Sequence, residues 1–256
     1  MPTIAELRAT TQPSSIFARN SGEHWAGRLY MRRLSPYLTR ALLRTRITPN
    51  GVTWLMIADG LAAAALLTLP GLAPAVGVVV LLQLQLLLDC SDGELARWRK
   101  VSSPAGIFLD RFAHNVTEAA LPIALGIRAD GGWDAIGGWT TLGLVTAVLV
   151  LLLRVMSALV YVARGESGLP VAEDTVEVAA PRAPALARLR RAVGFAPFYR
   201  AFVAIEFSFL ALIAAIWDAA TGDLSGTRAL VIALVPVAAV IVAGRLVAIL
   251  TSARLR

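Results

Sequence analysis

The sequence predicts an all-α polytopic membrane protein, with six transmembrane helices preceded by an interfacial amphipathic helix. Hydrophobic residues make up 57% of the 256 residues, and the mean hydropathy is +0.68. Charged residues make up only 16%, whereas soluble domains carry about 25%. Several apolar runs approach the ~20 residues that a helix needs to cross a ~30 Å hydrocarbon core. Together these observations exclude an ordinary soluble domain.

The net charge of +7 comes almost entirely from arginine, because only one of the 24 basic residues is a lysine. The arginines flank the apolar runs, which favours anionic lipid headgroups over nucleic acid as the partner. We therefore expect no nucleic-acid binding. The single cysteine, Cys90, excludes an internal disulfide.

Two segments precede the first predicted span. Residues 1–22 are polar, and we expect them to be loosely ordered. Over residues 23–47, apolar side chains four or five positions apart alternate with arginines, which predicts a helix that lies in the membrane interface with its arginines among the headgroups. A solvated helix that packs on a soluble partner is the alternative. The apolar positions are Trp25, Leu29, Leu34, Leu38 and Leu42.

Residues 48–256 form the predicted six-helix transmembrane domain. Thr48 is suited to cap the first span, and Pro49 suits the first helical position. The connection 163–196 is acidic and then basic, and Leu186, Leu189 and Val193 predict a second surface helix in its basic half. The predicted spans are 51–69, 73–97, 105–127, 139–162, 198–219 and 228–250.

The distribution of arginine and lysine predicts the orientation in the membrane. Basic residues concentrate before residue 51, in the loop 94–103, in the connection 163–196 and in the C-terminal tail. The loops on the opposite side offer only Arg128 and Arg228. Because basic residues favour the cytoplasmic side, we expect both termini and the loops after the second and fourth spans to be cytoplasmic. The plasma (inner) membrane is the expected location.

Acidic residues recur at helical spacing where the second span ends and the third begins. Asp89 and Asp92 are three residues apart, and Asp110 and His114 are four apart, so each pair shares a helix face. Glu118 lies one further turn along the third span. A short loop makes the two helices antiparallel neighbours, and a charge at membrane depth costs ~2.5–3.5 kcal/mol. A divalent cation removes this cost and the mutual repulsion, and such a site suits Mg²⁺ or Mn²⁺. A buried ionic network that orients the helices is the alternative.

The residues around this cluster suit a phosphate ligand. Gly93 and Gly106 lack side chains, so a ligand can approach the backbone closely there. Arg97 is able to bind a phosphate with two parallel hydrogen bonds. Carboxylates, arginine and glycines together predict a site that cleaves a pyrophosphate linkage on two bound cations.

This motif resembles the signature of the CDP-alcohol phosphotransferase (CDP-alcohol phosphatidyltransferase) family. Every fixed position matches except the last, where the family has aspartate and this chain has His114. The Thr-Pro-Asn start of the first span and the six-span plan are also similar to the family. The matching residues read Asp89-x2-Asp92-Gly93-x2-Ala96-Arg97-x8-Gly106-x3-Asp110-x3-His114.

The resemblance implies a six-helix membrane bundle, often homodimeric, with a cytoplasm-facing cavity. It implies that Asp89, Asp92 and Asp110, together with the residue at position 114, bind the metal. In the reaction that the resemblance implies, a hydroxyl group of an acceptor attacks the phosphate of a CDP-alcohol, and CMP is released. The residues implied to line the CDP moiety are Asp92, Gly93, Ala96, Arg97 and Gly106, with Thr48 and Asn50 by similarity to the equivalent stretch, where helix capping explains them nearly as well.

The departure at His114 leaves two hypotheses. In the first, catalysis is retained: His114 acts as the general base beside Asp110, or ligates the metal with a shift in preference towards Mn²⁺ or Zn²⁺. Glu118 would then orient His114 or replace it as a ligand. In the second hypothesis, activity is lost or diverted, and the fold is retained for binding.

Arginines inside apolar spans indicate where an anionic acceptor binds, because such residues usually face the bundle interior or water. Arg154 and Arg200 are the main candidates, with Arg111 and Glu118 beside the motif. For Arg200 the alternative is snorkelling at the interface. For Arg154 it is an ion pair with Asp59 or Glu206.

The expected function is transfer of a phosphatidyl group from CDP-diacylglycerol to a polar alcohol, with release of CMP, in phospholipid biosynthesis. One alternative is a transferase that uses a soluble CDP-alcohol and a lipid acceptor. The other is a catalytically degenerate membrane binding or scaffold protein. A transporter is not favoured, because no inverted repeat or pair of broken helices is evident.

Overall fold

The computed structural model describes residues 1–13, 24–170, 198–252 and 255. Within these ranges the regular structure is entirely helical, which confirms the all-α prediction. The main helices are α1 (Ile4–Thr11), α2 (Arg32–Leu42), α3 (Pro49–Leu67), α4 (Leu72–Arg99), α5 (Pro104–Asp130), α6 (Gly138–Glu166), α7 (Ala204–Thr221) and α8 (Ser225–Thr251).

Five of these helices are long and apolar enough to cross a membrane, namely α3, α4, α6, α7 and α8. They correspond to five of the six predicted spans. The remaining predicted span is α5, which has 27 residues and is therefore about 40 Å long at 1.5 Å per residue. Because Asp110, Arg111, Glu118 and Arg128 are spread along α5, its composition is less apolar, and its crossing of the membrane stays a prediction.

The expectation of loose order in the N-terminal segment is wrong for residues 4–11, which form α1. Thr3 and Glu6 form a reciprocal capping box at its start, an arrangement that satisfies two otherwise unpaired backbone donors. Leu7 and Thr11 are fully buried, and α1 packs on α2. The sequence did not predict this helix because it is polar and has no long apolar face. Burial of two side chains stabilises it instead.

The predicted interfacial helix consists of a π-helical turn, Gly27–Met31, followed by α2. Ser35 and Thr39 of α2 are buried, whereas Leu34 and Tyr37 are exposed. A helix with polar residues inside and large apolar residues outside is suited to an apolar surrounding. This arrangement agrees with a position in the membrane interface, which stays a prediction.

The chain divides into two compact units. The first comprises Met1–Leu66 and Gly77–Thr117. Its core is formed by buried apolar side chains of α3, α4 and α5, against which the partly buried leucines of α2 pack. The buried members are Val52, Met56, Ile57, Leu88, Leu95 and Ala113. This core fixes the end of α4 and the start of α5, where the motif lies.

The second unit comprises Leu67–Val76 and Glu118–Arg256. In it, α8 packs on both α6 and α7. Close approach of α5 and α6 depends on glycines: a Cβ added at Gly126 would lie 2.6 Å from the carbonyl oxygen of Trp139, and one at Gly143 would meet the carbonyl of Pro122. Small residues at such crossings let helix backbones approach in a membrane, where packing replaces the hydrophobic effect.

Arg128, which the sequence pattern placed at the start of the loop after the third span, is fully buried in the second unit. Its Nη1 donates to the carbonyl of Leu69 at 2.7 Å, and its Nη2 donates to that of Gly71 at 3.0 Å. The guanidinium also lies 3.8 Å from the carboxylate of Asp218, which accepts hydrogen bonds from Thr227. Arg128 therefore joins the α3–α4 loop to α7 and α8.

We expect Arg128→Met to lower the free energy of unfolding by about 3–5 kcal/mol, because it leaves the Asp218 carboxylate buried without its cation. Thermal unfolding in detergent measures the effect. The double variant Arg128→Met/Asp218→Asn should recover part of the loss, since the buried negative charge is then removed as well. A single variant as stable as the wild type would contradict this account.

The start of the fifth predicted span needs correction. Residues Phe198–Phe202 form a short 3₁₀ turn, and α7 begins only at Ala204, after Val203 in an extended conformation. Arg200 therefore lies in this turn and not on the helix. The predicted surface helix around Leu186, Leu189 and Val193 lies outside the described residues.

Candidate active site

Three motif side chains converge in the first unit. One ligand atom each from Asp89, Asp110 and His114 lies within 4.8 Å of the others. His114 Nε2 is 3.3 Å from Asp89 Oδ1 and 3.6 Å from Asp110 Oδ1. The side chains remain accessible, with exposed fractions of 27% for Asp89, 46% for Asp110 and 41% for His114. The predicted meeting of the two helices is therefore present, and a ligand can reach it.

The connection between α4 and α5 explains this convergence. Lys100 adopts a left-handed backbone conformation with φ 53°, and the amide of Val101 donates back to the carbonyl of Ala96 at 3.0 Å. The Ser103 hydroxyl then accepts from the amide of Gly106 at 3.0 Å, which caps the start of α5. These contacts end one helix and start the next within a few residues, so the two acidic faces meet.

Asp92 lies outside the group of three and is held differently. Its Oδ2 accepts a hydrogen bond of 2.7 Å from the hydroxyl of Thr53 on α3, and Thr53 is almost fully buried. A hydrogen bond to one carboxylate oxygen orients the group and leaves the other oxygen for a ligand. Thr53 was not singled out from the sequence, although it lies one helical turn beyond Pro49 and Asn50.

We expect Thr53→Val to lower metal affinity or turnover by about 10- to 100-fold, the usual effect of removing a group that orients a metal ligand. Valine keeps the shape of threonine but leaves one oxygen of the buried Asp92 without its hydrogen bond, so stability should fall by about 1–3 kcal/mol. Titration with Mn²⁺ and steady-state kinetics measure the effect. The control is Thr141→Val, because Thr141 is exposed and bonds only within its own helix turn. Equal behaviour of the two variants would contradict a role for Thr53.

Four of the seven residues that the resemblance assigns to CDP form two pairs of neighbours, Gly93 with Arg97 and Gly106 with Asn50. A Cβ added at Gly93 would lie 3.0 Å from Nη1 of Arg97, so the guanidinium lies against the bare backbone of Gly93. A Cβ at Gly106 would lie 3.1 Å from Oδ1 of Asn50. A side chain at Gly93 or Gly106 would therefore crowd Arg97 or Asn50, which would have to shift by a few tenths of an ångström.

Thr48 and Ala96 complete the predicted nucleotide set. The hydroxyl of Thr48 accepts from the amide of Gly51 at 3.0 Å, which supports the predicted capping role. Ala96 is partly exposed on α4, next to Arg97. The cap gives Thr48 a structural role whether or not it also touches a nucleotide.

Glu94 lies on the motif helix and was not predicted as a site residue. It is fully buried, and its carboxylate accepts hydrogen bonds from Ser35 at 2.5 Å and Thr39 at 2.7 Å. The sequence signal that could have identified Glu94 was the presence of a carboxylate in the middle of the motif. Its partners were not predictable, because they lie more than fifty residues earlier in the chain.

Two of the predicted acceptor arginines, Arg154 and Arg200, form ion pairs with carboxylates. Arg154 forms a bidentate ion pair with Glu118, and this corrects the alternative partners that the sequence suggested. Arg200 lies 3.8 Å from Glu206. Arg111 is exposed on α5. Because both oxygens of Glu118 contact Arg154, its suggested roles in orienting His114 or binding metal have no support here.

Comparison with known proteins places this arrangement in a family. Residues 46–217 match the family model described as CDP-alcohol phosphatidyltransferase, a range that covers more than half of the chain and contains the whole motif. The chain belongs to the CDP-alcohol phosphatidyltransferase family. None of the curated proteins matches it. Membership identifies the chain as a membrane-embedded transferase of the kind that acts on CDP-alcohols, within a family that depends on divalent metals.

Proposed function

We propose that this protein transfers the phosphatidyl group of CDP-diacylglycerol to a polar alcohol, releases CMP, and so acts in phospholipid biosynthesis. The observation that carries the proposal is the convergence of Asp89, Asp110 and His114 within the motif that the family match covers. A lipid donor suits a site built on apolar helices long enough to cross a membrane.

The donor set fits a divalent cation. Two carboxylates and one imidazole offer ligand atoms within 4.8 Å of one another, and oxygen-rich sites favour Mg²⁺ or Mn²⁺. Asp89 and Asp110 would hold the cations, with the second oxygen of Asp92 completing the set and Thr53 orienting it. When bound, two such cations neutralise charge on the phosphates and on the departing CMP.

Arg97 and the glycines would hold the pyrophosphate. The terminal nitrogens of Arg97 lie against Gly93, where a phosphate is able to approach the backbone and accept two parallel hydrogen bonds. Asn50 and Gly106 form the second adjacent pair, and we assign the remainder of the CDP moiety to this pair and to Thr48 and Ala96.

His114 is the proposed general base. When Nε2 carries a proton, it donates to Asp89 across 3.3 Å, and Nδ1 is then the nitrogen that accepts a proton. The acceptor hydroxyl gives its proton to His114 as its oxygen bonds to the phosphorus that carries the diacylglycerol. The bond from this phosphorus to the bridging oxygen breaks, and CMP leaves with that oxygen. Asp110 Oδ1 lies 3.6 Å from the same Nε2 and places a second carboxylate beside the imidazole.

Arg154 is the proposed anchor for an anionic acceptor, with Arg200 and Arg111 as further cations. Arg154 lies within the apolar helix α6, and its side chain stays 44% exposed although it pairs with Glu118. One turn further, Ser157 accepts from Arg245 at 3.1 Å. A basic, polar patch inside apolar helices is typical of a site for a charged group.

We expect Arg154→Gln to raise the acceptor KM about tenfold or more, because a charged hydrogen bond to the acceptor is lost. The KM for the CDP-alcohol should not change. Initial-rate kinetics with each substrate varied in turn measure both constants. Glu118→Gln is the matched variant, because it removes the ion pair and keeps the arginine. Unchanged acceptor kinetics in Arg154→Gln would count against the role.

The expected orientation places both termini and the site in the cytoplasm of a plasma (inner) membrane, where nucleotides are available. Basic residues on one side of the spans support this orientation. We also propose a homodimer, in line with the resemblance stated above.

The test incubates the purified protein with Mg²⁺ or Mn²⁺, CDP-diacylglycerol and a panel of polar alcohols, and monitors CMP release. The proposal expects metal-dependent CMP formation with one class of alcohol, and a matching phospholipid product. Release only from a soluble CDP-alcohol in the presence of a lipid acceptor would support the related alternative. No CMP from any pair would contradict the proposal and favour a binding or scaffold role.

A further inference from the structure

The family match begins at residue 46, so α1 and α2 lie outside it, yet both contact the motif helix. The contacts converge on Glu94, whose side chain is completely buried. Its Oε1 accepts from Ser35 at 2.5 Å and from Gln12 at 2.8 Å, and its Oε2 accepts from Thr39 at 2.7 Å. Arg32 Nη1 adds an ionic contact at 3.7 Å.

A buried carboxylate is unfavourable unless hydrogen bonds and a cation compensate for the lost water. For Glu94 these groups come from two separate segments: Ser35, Thr39 and Arg32 belong to α2, and Gln12 follows α1 directly. The charge of Glu94 is therefore fully compensated only when Gln12, directly after α1, and the α2 side chains all pack against α4.

The same end of α1 also holds Arg97. The Nε of Arg97 donates to the carbonyl of Thr11 at 2.6 Å, and Thr11 is fully buried. Thr11 and Gln12 are neighbours in sequence, so one short stretch bonds both Arg97 and Glu94, which lie one helical turn apart on α4. With Nε occupied, the terminal nitrogens Nη1 and Nη2 lie against Gly93.

We propose that Glu94 is a positioning residue for nucleotide binding: it fixes the end of α1 on α4, and the Thr11 carbonyl thereby fixes the Arg97 guanidinium for the pyrophosphate. The inference rests on the proposed role of Arg97 in binding the CDP-alcohol. Orientation of such a group matters because a small displacement of a phosphate anchor weakens both of its parallel hydrogen bonds.

The test compares CDP and Mn²⁺ binding of the full-length protein in detergent, by calorimetric titration, for the wild type, Glu94→Ala, Glu94→Gln and Gln12→Ala. We expect Glu94→Ala to weaken CDP binding about tenfold or more, the usual effect of losing an oriented charged contact. Mn²⁺ binding without nucleotide should stay within about twofold, because Glu94 is not a ligand. Glu94→Gln should lie between, since its amide oxygen still accepts from Ser35.

Gln12→Ala keeps the buried carboxylate and changes only the link to α1, so it tests the proposal if Glu94→Ala fails to fold. It should weaken CDP binding in the same direction without loss of Mn²⁺ affinity. The control is Glu166→Gln, an exposed carboxylate at the end of α6, which should bind both probes as the wild type does.

Unchanged CDP affinity in both Glu94→Ala and Gln12→Ala would overturn the positioning role while the proposed function stands. Equal loss of CDP and Mn²⁺ binding would also overturn it, since that pattern indicates general disruption of the site. A wild-type protein that binds Mn²⁺ but no CDP would overturn the proposed function, and the positioning role with it.

Discussion

The variant Asp110→Asn should lower kcat by about 10³-fold, the largest effect expected for a single substitution in this chain. The amide keeps the size of the carboxylate but removes the charge that a divalent cation needs, and such cations supply several kcal/mol of transition-state stabilisation. CMP release measures the rate, and titration with Mn²⁺ should show weakened binding. Because the side chain is 46% exposed, thermal stability should change little.

Asp134→Asn is the matched control for this result. Asp134 is exposed in the short turn Trp133–Ala135, so the same chemical change there should leave turnover and Mn²⁺ affinity unaltered. If Asp110→Asn kept a rate within about threefold of the wild type, Asp110 would not be a metal ligand of a catalytic site.

Replacement of His114 should have the second-largest effect. We expect His114→Ala to lower kcat by about 10²-fold, the lower end of the usual contribution of a general base, with Mn²⁺ affinity largely retained. His114→Asp should recover much of the activity, because the family signature carries aspartate at this position. An imidazole becomes protonated at higher pH than a carboxylate does, so the acid limb of the pH–rate profile should move to lower pH in His114→Asp.

The two roles of His114 give different results in this series. If His114→Ala loses Mn²⁺ affinity in proportion to activity, His114 is a ligand and not the base. If His114→Ala releases CMP at the wild-type rate, the base assignment fails. Inactivity of the wild type and of His114→Asp alike would favour the hypothesis that activity has been lost.

The long helices and the central motif were predictable because their signals are local. An apolar run of about twenty residues requires a helix in a membrane, and spacing of three or four places Asp89 with Asp92 and Asp110 with His114. Five predicted spans have helices at matching positions. Only their ends differ, chiefly at α7, which starts at Ala204 because a short turn precedes it.

The contacts that were missed depend on packing between distant parts of the chain. α1 is too short and polar to predict, and burial of Leu7 and Thr11 stabilises it. Glu94 has partners on α2 that no spacing rule connects to it. Arg154 was correctly expected to have a carboxylate as one possible partner, but which carboxylate depends on how α5 and α6 pack.

Electron paramagnetic resonance of Mn²⁺ bound to the purified protein tests the central claim most directly, namely that Asp89 and Asp110, beside the proposed base His114, form a metal site for a CDP-alcohol. The claim predicts a bound-Mn²⁺ signal that changes when CDP is added and that is weakened in Asp110→Asn but not in Asp134→Asn. A wild-type protein without bound Mn²⁺, or a signal identical in Asp110→Asn and indifferent to CDP, would contradict it.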